Sequence, residues 1–211
     1  MKNPLLSTAY LPPVEYFAFL LAEGAAIERE ERYQKQSYRN RATVMNGNGV
    51  MNLIIPTVHD GRMGIIKSVR IDYATPWQRA HWRTIESAYN NTPYYLYYKD
   101  MLRPFYEQKF EFLFDFNLQL TKTLLKLLQL DREIATTTAF TPYKSDDLRL
   151  LIHPKNARKE EYPFQLQTPY YQVFEDKFGF IPNLSVIDLL FNEGPQAASY
   201  LLQLQQLIAN K

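Results

Sequence analysis

Leu5 to Leu11 is a short, mostly apolar run that stops at Pro12-Pro13. It reads as a buried strand, because proline brings no amide hydrogen to extend a ladder. Pro13 also suits the first turn of a helix, and Phe17, Leu20 and Leu21 recur at helical spacing until Gly24 offers a stop. Ala25 to Glu31 follows as a second strand. From Arg41 to Asp72 the pattern changes to hairpins. Ala42-Thr43-Val44-Met45 and Leu53-Ile54-Ile55 flank the tip Asn46-Gly47-Asn48-Gly49, where Asn-Gly supplies the positive φ angles of a primed turn. A second turn at His59-Asp60-Gly61 leads into Ile65 to Ile71, so three antiparallel strands are expected.

Helical spacing then takes over. Thr75-Pro76-Trp77 starts a helix running to about Asn91, with Trp77, His81 and Ile85 on one stripe flanked by Trp82 and Tyr89. A second helix covers Tyr95 to Tyr106 with an interruption at Pro104, and a long, leucine-rich one covers Phe110 to Leu130. Ile134 to Phe140 is β-branched and reads as a strand, followed by a helical turn over Asp147 to Ile152. His153 to Thr168 has no apolar period and reads as a solvated loop, the natural candidate for a lid. Near the C-terminus Ser185 is placed to cap a short helix, with Asp188 in the capping-box position and Gly194-Pro195 as the stop, and Gln196 to Ala209 forms the last helix. There is no internal repeat. The expected architecture is α/β, one domain over residues 1–211, with a mixed sheet, an antiparallel hairpin sub-sheet and a largely helical C-terminal two-thirds.

Composition narrows the function. At 211 residues, 46% apolar and 22% charged, the chain has the profile of one folded domain. Sixteen Tyr, 13 Phe and two Trp point to a core and boundary layer rich in rings, or to a surface that stacks on a sugar or nucleotide. A net charge of +2 is too balanced for general nucleic-acid or membrane binding, so no nucleic-acid partner is expected. The absence of Cys removes thiolate metal sites and cysteine nucleophiles. No segment has the apolar length of a membrane span or the form of a signal peptide, which favours a cytoplasmic protein.

No general nucleotide, metal or hydrolase motif is present. His59, His81 and His153 lie far apart, so no metal site is indicated, and no cofactor is implied. His59 and His153 read as exposed. His81, inside the aromatic stripe, is either a satisfied boundary histidine or the catalytic acid/base. In Gln36-Ser37-Tyr38-Arg39-Asn40-Arg41, an extended backbone puts Arg39 and Arg41 on one face and Asn40 on the other. Two guanidinium forks suit a phosphate or a carboxylate, unless Glu28, Glu30 or Glu31 pairs them. Asp188 is explained by its helix N-terminus as readily as by a substrate. A cleft lined by Tyr10, Arg39, Asn40, Arg41, His81 and Asp188 would bind a small-molecule or sugar-linked substrate, with His81 as its base.

These segments carry a resemblance. Gln36-Ser37-Tyr38-Arg39-Asn40-Arg41, the Asn46-Gly47 hairpin with Leu53-Ile54-Ile55-Pro56, Pro76-Trp77 with His81, Tyr89 with Pro93-Tyr94-Tyr95, and Pro182-Asn183-Leu184-Ser185-Val186-Ile187-Asp188-Leu189-Leu190-Phe191-Asn192 together resemble the WbqC-like family. The resemblance implies an α/β fold, a place in bacterial O-antigen or other surface-polysaccharide assembly, and an acyl or aminoacyl (glycine) transfer role on an activated sugar. A non-catalytic binding or scaffold role in the same pathway is the alternative. The family's opening strand often bears His-Gln-Pro. Aligned on Pro13, this chain has Ser7, Thr8 and Ala9 there, so it reads as a divergent branch in which chemistry needing that histidine is in doubt.

Overall fold

A computed structural model describes residues 3–58, 64–157 and 168–210. Five strands, β1 (Leu5–Ser7), β2 (Ala26–Glu28), β3 (Arg41–Asn46), β4 (Gly49–Ile54) and β5 (Ala135–Thr136), form two sheets. Eight α-helices accompany them in the described residues: α1 (Val14–Leu20), α2 (Trp77–Tyr89), α3 (Tyr95–Leu102), α4 (Leu113–Leu127), α5 (Leu148–Leu151), α6 (Glu175–Phe178), α7 (Val186–Glu193) and α8 (Gln196–Ala209). The α/β class expected from the sequence is the one observed.

β1, β2 and β5 pair in parallel in the order β1-β2-β5, with Leu6 opposite Ile27 and Ser7 opposite Glu28. Parallel neighbours need a crossover, and α1 supplies it. Every residue of α1 is buried, because the helix is covered by α7 and α8 as well as by the sheet. β1 is shorter than the apolar run. Beyond Ser7 the Tyr10 amide donates to the Tyr38 carbonyl at 2.8 Å, and Leu11 takes a positive φ of 39°, which turns the chain into Pro12-Pro13. For a buried leucine that angle is strained, and surrounding structure must hold it. β5 is likewise cut to two residues of the expected Ile134 to Phe140; the Thr137 amide still reaches the Ile27 carbonyl, but Phe140 turns outward against Tyr143.

β3 and β4 form the expected hairpin, from Arg41 opposite Ile54 to Asn46 opposite Gly49. Its positive φ falls on Gly49, at 111°, not on the Asn46-Gly47 pair. The expected third strand is absent. Ile65 to Ile71 instead holds one 3-10 turn, Ile66–Ser68. Its backbone is shared between two neighbours: the Val58 amide donates to Arg70 and the Asp72 amide to Pro56, a remnant of the hairpin, while the Leu113 amide donates to Val69 and the Ile71 amide to Glu111 at the start of α4. His59-Asp60-Gly61 and residues 158–167 of the expected loop lie outside the described residues.

α2 buries Trp77, His81, Ile85, Ala88 and Tyr89, the stripe that the spacing predicts. α3 passes into a 3-10 turn over Arg103–Tyr106 where Pro104 cannot donate. Ser185 caps α7 by accepting from the Ile187 amide, and Gly194 ends it with φ 54°. A Cβ at Gly194 would fall 2.5 Å from the Tyr94 ring, so only glycine fits there. α6 is a short helix that the pattern does not announce.

Candidate functional site

Buried charges collect where β1 and β2 end. Arg39 is 2% exposed and donates through Nε and Nη2 to Glu31, at 2.9 and 2.5 Å, through Nη2 to Ser7 Oγ at 2.7 Å and through Nη1 to Gln34 at 3.2 Å. The second pair joins ends of the chain far apart in sequence. Arg149 donates to Glu28 at 3.1 Å and to both oxygens of Asp147, and its guanidinium lies over the Tyr143 ring at 4.4 Å. Burial alone would raise the Glu28 carboxyl, but bonds from Thr137, the Thr141 and Glu30 amides and Arg149 outweigh it and hold the group below the usual range. For Asp147 the same burial cost is outweighed by Arg149.

The Arg39 loop is fixed at almost every carbonyl. Tyr38 accepts from the Tyr10 amide, Arg39 from Asn117 Nδ2 at 2.7 Å, and Asn40 from the Ile55 amide, while Asn40 Nδ2 donates back to the Ile55 carbonyl at 2.8 Å. Gln36, at the loop's start, has φ 58°.

His81 belongs to a neutral chain. Its Nδ1 lies 3.0 Å from the Tyr10 hydroxyl, which lies 3.0 Å from that of Tyr106. The remaining ring nitrogen engages the Ile54 backbone carbonyl. A carbonyl only accepts, so Nε2 carries the hydrogen and Nδ1 accepts from Tyr10. Burial lowers the His81 pKa to about 4, only partly opposed by the Ile54 bond, and raises that of Tyr10 well above its ordinary value. Trp77 covers the imidazole edge-on at 5.1 Å between ring centres.

Asp188 lies in a third cluster. Its carboxylate accepts from the Tyr170 hydroxyl at 2.8 Å and from Gln172 Nε2 at 3.2 Å. It does not close a capping box, because the Ser185 amide is already bonded to Thr43. Burial raises its pKa to about 6 against the lowering effect of the Tyr170, Tyr89 and Gln172 side chains. Gln172, fully buried, also donates to the Ile181 carbonyl and accepts from the Ile181 amide, both at 2.9 Å.

A hollow of about 350 Å³ opens between these clusters, lined by Tyr38, Thr43, Val50, Pro154, Ala157, Ile181, Pro182 and Asn183. Asn183 holds a φ of 58° at its rim. Tyr38 also lines a much smaller cavity beside Ser7 and Arg39. The hollow therefore sits where the Gln36 to Arg41 segment and the Pro182 to Asn192 segment meet. The backbone stitches them together: Ser185 donates to Thr43, Val14 to Leu184, and Val186 to Pro12.

Of the residues singled out in the sequence, Tyr10 and His81 are in contact, while Arg39, Asn40 and Asp188 lie in separate bonded clusters, and all five are buried. Arg41 differs. It is half-buried, and its Nε, shielded from water, has no partner among the described residues. His153, expected to be exposed, is 8% exposed, because the α5 turn before it carries it into the protein. Glu28, Glu31, Asp147, Arg149 and Gln172 were not singled out as site residues. Two acids at the end of an apolar strand were a signal for the first pair; nothing local marks the others. Among the described residues no three His, Asp or Glu side chains group to hold a metal ion, and no helix is long and apolar enough to cross a membrane.

An α/β fold with its motif segments converging on one hollow defines a class, and the sequence matches the WbqC-like protein family over residues 8–165 and 156–200. The chain belongs to that family. It is 25% identical over 230 residues to the uncharacterized protein Rv1507c of Mycobacterium tuberculosis, covering 97% of this chain and 99% of that one. No solved structure matches it significantly.

Proposed function

We propose that this chain is a cytoplasmic acyl or aminoacyl (glycine) transferase of surface-polysaccharide (O-antigen) assembly, and that its activated sugar occupies the hollow beside Tyr38 and Asn183. The observation that carries this reading is the meeting of two motif segments around a concave space of sugar size, walled by an aromatic ring, prolines and a few polar groups. In this reading Arg41 touches the substrate, while Arg39 and Asn40 hold the loop that presents Tyr38. Asp188 braces the opposite rim through Gln172 and Ile181. His81 as general base would have to exchange its Tyr10 bond for the reacting group.

That requirement favours a second reading, a non-catalytic sugar-binding protein of the same pathway, because both His81 nitrogens are engaged and the ring is buried. Incubating the protein with activated sugars and acyl or glycyl donors, followed by mass spectrometry, separates the two. A sugar product heavier by the acyl group supports the transferase, and its loss in His81→Ala with the fold intact supports the base. Saturable binding without product supports the second reading. No binding of any sugar removes both.

A further inference from the structure

Beside the hollow, Arg41 and His153 each keep a donor for which no partner is found among the described residues. Alternation along β3 puts Arg41 and Thr43 on one face and the buried Ala42 and Val44 on the other. Thr43 lines the hollow, so Arg41 faces the same side. Arg39 next to it is neutralised by Glu31, but Arg41 has no ion pair among the described residues. A half-buried guanidinium with a shielded, unbonded Nε is costly to keep unless an anion comes to it. His153 stands immediately before Pro154 of the hollow wall. Its Nδ1 accepts from the Lys155 amide at 3.2 Å, so the neutral ring carries its hydrogen on Nε2, where no described residue accepts it.

We propose that the hollow takes its sugar as a phosphate ester, with the phosphate seated between the Arg41 guanidinium and the His153 Nε2–H and the sugar against Tyr38, Val50 and Pro182. This rests on the sugar-site reading above and specifies its substrate class. The electrostatic setting agrees. Apart from burial, the described groups that act on His153 are Arg39, Lys155 and Arg41, all cations that disfavour its protonation, with no carboxylate among the described residues to offset them. A guanidinium fork, an imidazole donor and the exposed Lys155 exceed what one carboxylate neutralises, and they suit a phosphate, which offers more acceptor oxygens and more charge.

Isothermal titration tests this with four probes: methyl glucoside, glucose 1-phosphate, UDP-glucose and a short-chain prenyl diphosphate glucose. The phosphorylated probes are expected to bind at least tenfold more tightly than the glucoside, and less tightly as salt is raised. Between the last two, the tighter identifies the carrier, nucleotide or lipid. Arg41→Met is expected to lower affinity for the phosphorylated probes at least tenfold, Arg41→Lys less, and His153→Gln severalfold, each with an unchanged melting temperature. If the glucoside binds as well as its phosphate esters, or if Arg41→Met and Arg41→Lys both bind like the parent, the phosphate assignment is overturned and the sugar site stands. If no probe binds at all, the sugar site itself fails.

Discussion

The ends of β1 and β2 and the outer face of the hairpin both carry arginine, but they treat its charge in opposite ways. Arg39 and Arg149 are almost sealed from water, and each meets a carboxylate in bonded geometry. Arg41, two residues from Arg39, is wetter and has no such partner among the described residues. A buried ion pair recovers its desolvation cost only when each member is well bonded, so the first two arginines are framework. A cation beside the hollow that no described carboxylate compensates is available for a ligand. The same contrast separates His81, bonded on both nitrogens, from His153, with one donor that no described residue accepts.

The sharpest way to break the contrast is to remove a framework charge. Arg149→Met strands Glu28 and Asp147, and breaking such a pair costs about 3 to 5 kcal/mol; urea unfolding should register it as a lower midpoint with an unchanged slope. If the midpoint holds, the knot is not structural.

Next comes proton linkage, where two buried groups oppose each other. Asp188 titrates near 6 in the fold, against about 3.9 unfolded. Because its folded pKa is raised, its stabilising share is complete below the unfolded value and is lost as pH rises through 6. His81 titrates near 4 folded, against about 6.5 unfolded. Its folded pKa is depressed, so its share is present above the unfolded value and is lost as pH falls through 4. Each is worth about 3 kcal/mol across its window, and between these limits the slopes offset. Asp188→Asn should therefore lose stability relative to the parent on acidification from pH 7 to 4.5, while His81→Gln should gain it. Parallel curves for parent and variants would refute the assignment.

Smaller effects follow. Tyr10→Phe leaves His81 Nδ1 without its donor and should cost about 1 to 2 kcal/mol, read by thermal unfolding. Arg41→Met should change stability by less than about 0.5 kcal/mol, because it breaks no bond within the described protein. A large loss there would place Arg41 among the framework groups.

What the sequence disclosed was local. The Ser185 cap, the Gly194 stop, the Trp77-His81-Ile85 stripe and the Pro104 break depend on neighbours a few residues away, and each is found where spacing put it. The third strand shrank to a single bridge, Thr57 opposite Ile71, with Val69 and Ile71 also bonded to Leu113 and Glu111 some 40 residues on, partners that hydrophobic alternation cannot see. The site was legible in part. The segments that meet at the hollow were recognisable, and so was the chance that an acid would claim Arg39. The pairing of Arg149 with Glu28 spans 121 positions and leaves no mark on either local pattern. Nor does spacing reveal which of two neighbouring arginines is the spoken-for one.

Gln172 stands in for a strand. Its primary amide gives a hydrogen to the backbone of Ile181 and takes one back, as a neighbouring peptide would. A carboxylate could not give, an ammonium could not take, and asparagine is one carbon shorter. The alphabet at this site thus shrinks to a single letter for any relative that keeps the same rim, making position 172 a marker by which chains with an intact hollow can be sorted from those that have remodelled it.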